Sequence, residues 1–129
     1  MEKKIALIVE DDKINQKLLD SILSDSGYNT IIADNGEEAV SCYRKKTEID
    51  IILLDMHMPH LNGLDAVRMI RDIENEENRK HIPVIAVTAF ALEGNRETCL
   101  SAGCDDYISK PYDGEIFINM INKYNPPTA

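Results

Sequence analysis

A chain of 129 residues with 43% hydrophobic and 29% charged content has the length and composition of one domain able to bury a core. No apolar run approaches the roughly 20 residues of a membrane span, and the N-terminus lacks the hydrophobic stretch of a signal peptide, so a cytoplasmic location is expected. The net charge of −9 speaks against direct nucleic-acid binding, which needs a basic face, and suits a domain that gathers cations.

The first element is the apolar run "IALIV" at residues 5–9, short and rich in β-branched residues, which reads as a strand buried on both faces. Three carboxylates follow at once, Glu10, Asp11 and Asp12. Acids side by side near a core repel one another, so they mark either a solvated loop with a helix cap or a site for a cation. Ile14, Leu18, Leu19, Ile22 and Leu23 share a helical face, with Asp12 as its N-cap and Gly27 as its stop. Residues 30–33 form a weaker second strand. Asn35 then caps a helix with Glu38 three residues on, burying Ala39, Val40 and Tyr43.

Residues 49–54 form the third strand, broken only by Asp50, and Asp55 follows. Asn62-Gly63 is a turn signal before a helix that buries Leu64, Val67, Ile70 and Ile73. The charge run "DIENEENRK" at 72–80 reads as a fraying helix end and solvated loop, and His81 as a lead-in to the fourth strand at 83–87. Thr88 follows that strand. A weaker helix at 93–102 ends at Gly103, and residues 107–108 mark a short fifth strand before Lys110-Pro111. Ile116, Phe117, Met120, Ile121 and Tyr124 give the last helical face. The odd count of three cysteines, without Cys-x-x-Cys spacing, points to reduced buried thiols.

Strand and helix alternate five times, and the best strands are apolar throughout. The expected fold is therefore α/β, a single doubly wound five-stranded parallel sheet. Ligands of such sheets lie outside the carboxyl ends of the strands. Glu10, Asp11, Asp12, Asp55, Thr88 and Lys110 all follow strands, and they would meet at that edge.

Together these residues resemble the receiver domain of two-component response regulators. "LIVEDDKIN", "IILLDMHMPHLNGLDA", "VIAVTAFA" and "AGCDDYISKP" each look like family signatures and stand in family order. The resemblance, strongest to receivers of hybrid histidine kinases, implies a (βα)5 flavodoxin-like fold with strand order 2-1-3-4-5. It covers residues 1–125, leaving 126–129 as a tail. It implies Asp55 as phosphoacceptor, with Mg²⁺ held by Asp11, Asp55 and the backbone carbonyl of His57, and by Glu10 through water. Lys110, aimed by a cis Lys110-Pro111 bond, would neutralise charge. Thr88 would donate to the phosphoryl group and, with Tyr107, switch the surface of the fourth helix, fifth strand and fifth helix. The donor would be a sensor histidine kinase or a histidine phosphotransfer protein docking on Ile14, Asn15 and Leu18. The protein would be a monomer or a phosphorylation-dependent dimer, a switch rather than a turnover enzyme.

Three other readings compete. A flavin binder of the same architecture needs a hydroxyl- and glycine-rich loop where three acids stand here. A phosphatase with a strand-end Asp nucleophile needs a second acid two residues on, where His57 stands. A degenerate receiver acting as a phosphorylation-independent interaction module is opposed by Asp55, Thr88 and Lys110 together. A zinc site at His57 and His60 is discounted because Pro59 breaks any helical face, and Met56 and Met58 read as gap-fillers.

Overall fold

The computed structural model describes residues 4–45, 48–55, 63–88, 93–109 and 113–124, with the backbone alone at 88 and 93–96. The elements run β1 (Ile5–Val9), α1 (Lys13–Asp25), β2 (Asn29–Ala33), α2 (Gly36–Lys45), β3 (Ile49–Asp55), α3 (Gly63–Glu77), β4 (Val84–Thr88), α4 (Glu93–Ala102), β5 (Asp106–Ser109) and α5 (Gly114–Tyr124). All strand pairs are parallel, in the order β2-β1-β3-β4-β5 that the family resemblance implies.

The period of two along each strand explains why the central strands carry no polar alternation. Leu7, Val9, Ile52, Leu54 and Ala86 face one core, closed by Ala39 and Tyr43 of α2, Val67 and Ile70 of α3, and Cys99 of α4. Ala6, Ile8, Ile51, Leu53, Ile85 and Val87 face the other, closed by Leu19 and Leu23 of α1 and Phe117 and Ile121 of α5. Each central strand must therefore be apolar on both sides. All three cysteines are free; Cys99 and Cys104 are buried and Cys42 only partly so.

Several helix ends follow the expected chemistry. Asp12 Oδ1 accepts from the backbone N–H of Ile14 at 2.8 Å and of Asn15 at 3.3 Å, capping α1. Asn35 Oδ1 accepts from Glu38 N at 2.9 Å, while Asn35 Nδ2 donates to Glu38 Oε2 at 3.3 Å. Gly27 closes α1 with φ +95°, and Tyr28 N donates to Leu23 O at 3.0 Å. Gly103 closes α4 in the same way, with φ +122° and Cys104 N donating to Cys99 O at 3.1 Å.

Four expectations need correcting. Ile14 and Leu18 leave the buried face of α1 for solvent, and Gln16 takes a buried place beside Leu19 and Leu23. Ile116 is likewise exposed, so the inner face of α5 rests on Phe117 and Ile121. The charge run at 72–80 is not simply solvated: α3 continues to Glu77, and Glu74 is buried. Arg79 donates to the carbonyls of Tyr43 and Arg44 while its guanidinium lies 4.6 Å from the Tyr43 ring centroid. His81 does more than lead into β4, since its Nε2 lies 2.6 Å from Asp105 Oδ1.

The charge run and His81 meet in one largely buried ionic network at the amino ends of β4 and β5. Arg71 donates to Glu74 Oε2 at 2.7 Å, Asp105 Oδ2 at 2.8 Å, Gly103 O at 2.9 Å and Ile82 O at 2.8 Å. Glu74 accepts from Ile82 N and Asp105 from Val84 N, both at 2.8 Å. The charges there bind backbone groups of Ile82, Val84 and Gly103 at the strand entrances.

Candidate cation and phosphoryl site

The sheet's direction of winding reverses between β1 and β3, and the acids stand at that crevice. Asp55 is the last residue of β3 and is paired in register with Val87, so its position is set by the sheet itself. Glu10 follows β1 directly, and its N–H still donates to Ala33 O at 3.1 Å. Glu10 is 1% exposed and Asp55 5%, whereas Asp11 is open to solvent. One carboxylate oxygen from each of the three lies within 4.8 Å of the others. Like charges this close repel one another, and a shared cation would offset that repulsion. The donor set is oxygen throughout, the kind that hard divalent cations such as Mg²⁺ prefer.

The surrounding turn is held by hydrogen bonds. Glu10 Oε2 accepts from Asp12 N at 3.2 Å. Gln16 Nε2 donates to Glu10 O at 2.5 Å and to Asp34 Oδ1 at 2.7 Å, and Lys13 Nζ reaches the same Asp34 oxygen at 3.0 Å. Hydrogen bonds from Gln16 and then Lys13 hold the Asp34 carboxyl below its ordinary range. Sequence reasoning missed Gln16 and Asp34. The available signal was a glutamine on the helical face of Leu19 and Leu23, where an apolar residue is expected.

The other expected residues are placed unequally. Thr88 ends β4, in register with Ser109 at the end of β5, so its backbone lies at the carboxyl edge. Tyr107 lies in β5 opposite Ala86, half-buried against the core of α2, α3 and α4. Ile14 is 78% exposed on the first turn of α1, Leu18 is exposed one turn on, and Asn15 is half-buried between them. His57, Lys110 and the Lys110-Pro111 bond lie outside the described residues, as do Met56, Met58, Pro59 and His60. No helix among the described residues is long and apolar enough to cross a membrane.

Comparison with known proteins agrees with this geometry. The family described as response regulator receiver domain matches residues 6–122, and the chain belongs to it. It is therefore a receiver domain of two-component signalling. The chain is 41% identical over 121 residues to the polar-differentiation response regulator DivK of Brucella anthropi, covering 94% of this chain and 95% of that regulator. Among solved structures, the receiver domain of a Pseudomonas aeruginosa sensor histidine kinase, with magnesium coordinated in its active-site cleft, superposes with a TM-score of 0.85. It is 35% identical, over 95% of this chain and 98% of that one. The receiver domain of Saccharomyces cerevisiae Ssk1, crystallised with the histidine phosphotransfer protein Ypd1, gives 0.89 at 30% identity, over 95% and 88%.

Proposed function

We propose that this receiver is a phospho-accepting switch in which Asp55 takes a phosphoryl group from a phosphohistidine. The observation that carries the reading is the convergence of Glu10, Asp11 and Asp55 within 4.8 Å at the ends of the two central strands. An Asp55 carboxylate oxygen forms the new bond to phosphorus as the P–N bond of the donor breaks, and the imidazole nitrogen keeps the electron pair. Asp11 and Asp55 would hold Mg²⁺ directly, with the His57 carbonyl completing the protein ligands and Glu10 acting through water. When bound, Mg²⁺ neutralises charge on the phosphoryl oxygens. Lys110 would supply the fixed cation and Thr88 a hydroxyl donor to the same oxygens. The oxygen donor set and the magnesium in the Pseudomonas relative support the metal.

Thr88 and Tyr107 would carry the change outward, because β4 and β5 are paired in register up to Thr88 and Ser109. The surface of α4, β5 and α5 is then the output, and slow attack by water on the acyl phosphate resets it. The domain processes no other substrate. A sensor histidine kinase or phosphotransfer protein would dock on Ile14, Asn15 and Leu18, a reading supported by their place beside the acids and by the Ssk1–Ypd1 pairing. The unit takes residues 1–125, with 126–129 as a tail, and works in the cytoplasm.

The test is intact mass after incubation with Mg²⁺ and acetyl phosphate. The wild type gains one phosphoryl group, Asp55→Asn gains none, and EDTA abolishes uptake. Equal uptake by both proteins would overturn the assignment, and no uptake by the wild type would favour a phosphorylation-independent module.

A further inference from the structure

We propose that Gln16 is a positioning residue for the cation site, its carboxamide tying the turn that carries Glu10 and Asp11 to the end of β2. The inference rests on the cation reading above and concerns how the acids are held before an ion arrives. Gln16 is 5% exposed and is the one buried polar residue of α1. A carboxamide nitrogen has two hydrogens, and here it has two acceptors, Glu10 O at 2.5 Å and Asp34 Oδ1 at 2.7 Å. Glu10 is thus held through both peptide units that flank its Cα. Its N–H is held by Ala33 of β2, and its carbonyl by Gln16 of α1. Asp34, one residue past β2, is itself braced by Lys13 at 3.0 Å.

Any displacement of the turn at 10–12 from β3 would part Glu10 and Asp11 from Asp55. The tether opposes that displacement from outside the cluster, without adding a carboxylate to it. A turn held in place has less to reorganise when a cation binds, and groups that orient ligands in this way are worth much of a site's affinity. The ordinary alternative is that Gln16 merely satisfies a buried carbonyl. The two differ in what they do to metal affinity in a protein that is fully folded.

The experiment titrates Mn²⁺, a hard-oxygen probe for the same site, and follows the free ion by electron paramagnetic resonance well below the melting temperature. Gln16→Met keeps length and volume and removes both donations. Its Mn²⁺ dissociation constant should rise about tenfold, the lower range for loss of such a supporting group. A lower melting point in EDTA with an unchanged dissociation constant would overturn the proposal. Asp34→Asn and Asp34→Leu give a second comparison, independent of whether Gln16→Met folds. Both remove the charge, but only asparagine keeps an acceptor for Gln16, so Asn should hold Mn²⁺ more tightly than Leu. Equal affinities would again overturn it. Asp11→Asn separates this failure from that of the underlying reading. If Asp11→Asn loses Mn²⁺ while Gln16→Met does not, the tether alone is wrong; if Asp11→Asn binds like the wild type, or the wild type binds none, the cation site falls and the tether with it.

Discussion

Three consecutive acids at residues 10–12 are divided by their surroundings. Asp12 spends its Oδ1 on the first turn of α1 and is a cap. Asp12→Ala should cost about 1 kcal/mol with little change in the Mg²⁺-induced rise in melting temperature. Asp11→Ala should do the reverse, relieving repulsion in the metal-free protein and abolishing that rise; a swapped pattern would move the ligand by one residue. Burial acts on the Cys99 and Cys104 thiols in one direction, raising both. Burial, with the neighbouring Cys99 as a smaller cause, pushes Cys104 up to about 12 from an ordinary value of 9.0. Below pH 9 the thiol is protonated in both states and adds no pH dependence. Above it the unfolded thiol ionises first, so stability falls as pH rises toward about 12. Cys104→Ala should flatten that fall in urea melts at pH 8 and 11. Gln16 stood out in the sequence only as a polar residue on an apolar helical face, because its acceptors, Glu10 O and Asp34 Oδ1, come from segments that the helix period does not locate.

At the scale of elements, the ends of helices are where backbone chemistry and packing meet. Gly27 and Gly103 both need positive φ, but their surroundings differ. A Cβ at Gly27 would meet nothing within 4 Å, whereas at Gly103 it would lie 2.9 Å from Arg71 Cγ. Arg71 cannot simply swing aside, because its guanidinium is bound to Glu74, Asp105 and two carbonyls. Gly27→Ala should therefore cost about 1–2 kcal/mol for the left-handed backbone. Gly103→Ala should cost more, with equal losses in denaturant melts excluding the clash. The stops at Gly27 and Gly103 and the caps at Asp12 and Asn35 were legible because each rests on local spacing, whereas the strand order came from the family resemblance. The inner faces of α1 and α5 were only partly so. Ile14 and Ile116 fit the apolar period, but they fall at helix starts that overhang the sheet. The Arg71 network was not legible, since a charge run looks the same whether its partners are water or residues more than thirty positions away.

For the whole molecule, the central place of β1 has a kinetic side. Residue 5 aligns with residue 29 on one flank and residue 49 on the other, so the core strand completes its pairing only after two wide loops close. Such non-local pairing sets the folding rate of parallel sheets. Leu7→Ala, at the heart of β1, should slow refolding, while Phe117→Ala in the last helix should mainly speed unfolding. Chevron plots of the two mutants check this, and the opposite partition would place the nucleus in the C-terminal half. The strands whose meeting limits the rate also deliver Glu10, Asp11 and Asp55 to one crevice. If those carboxylates approach before the barrier is crossed, their repulsion raises it, and the switch's chemistry acts as a brake on its own assembly. Refolding of the wild type should accelerate with ionic strength, and Asp11→Ala should lose most of that acceleration.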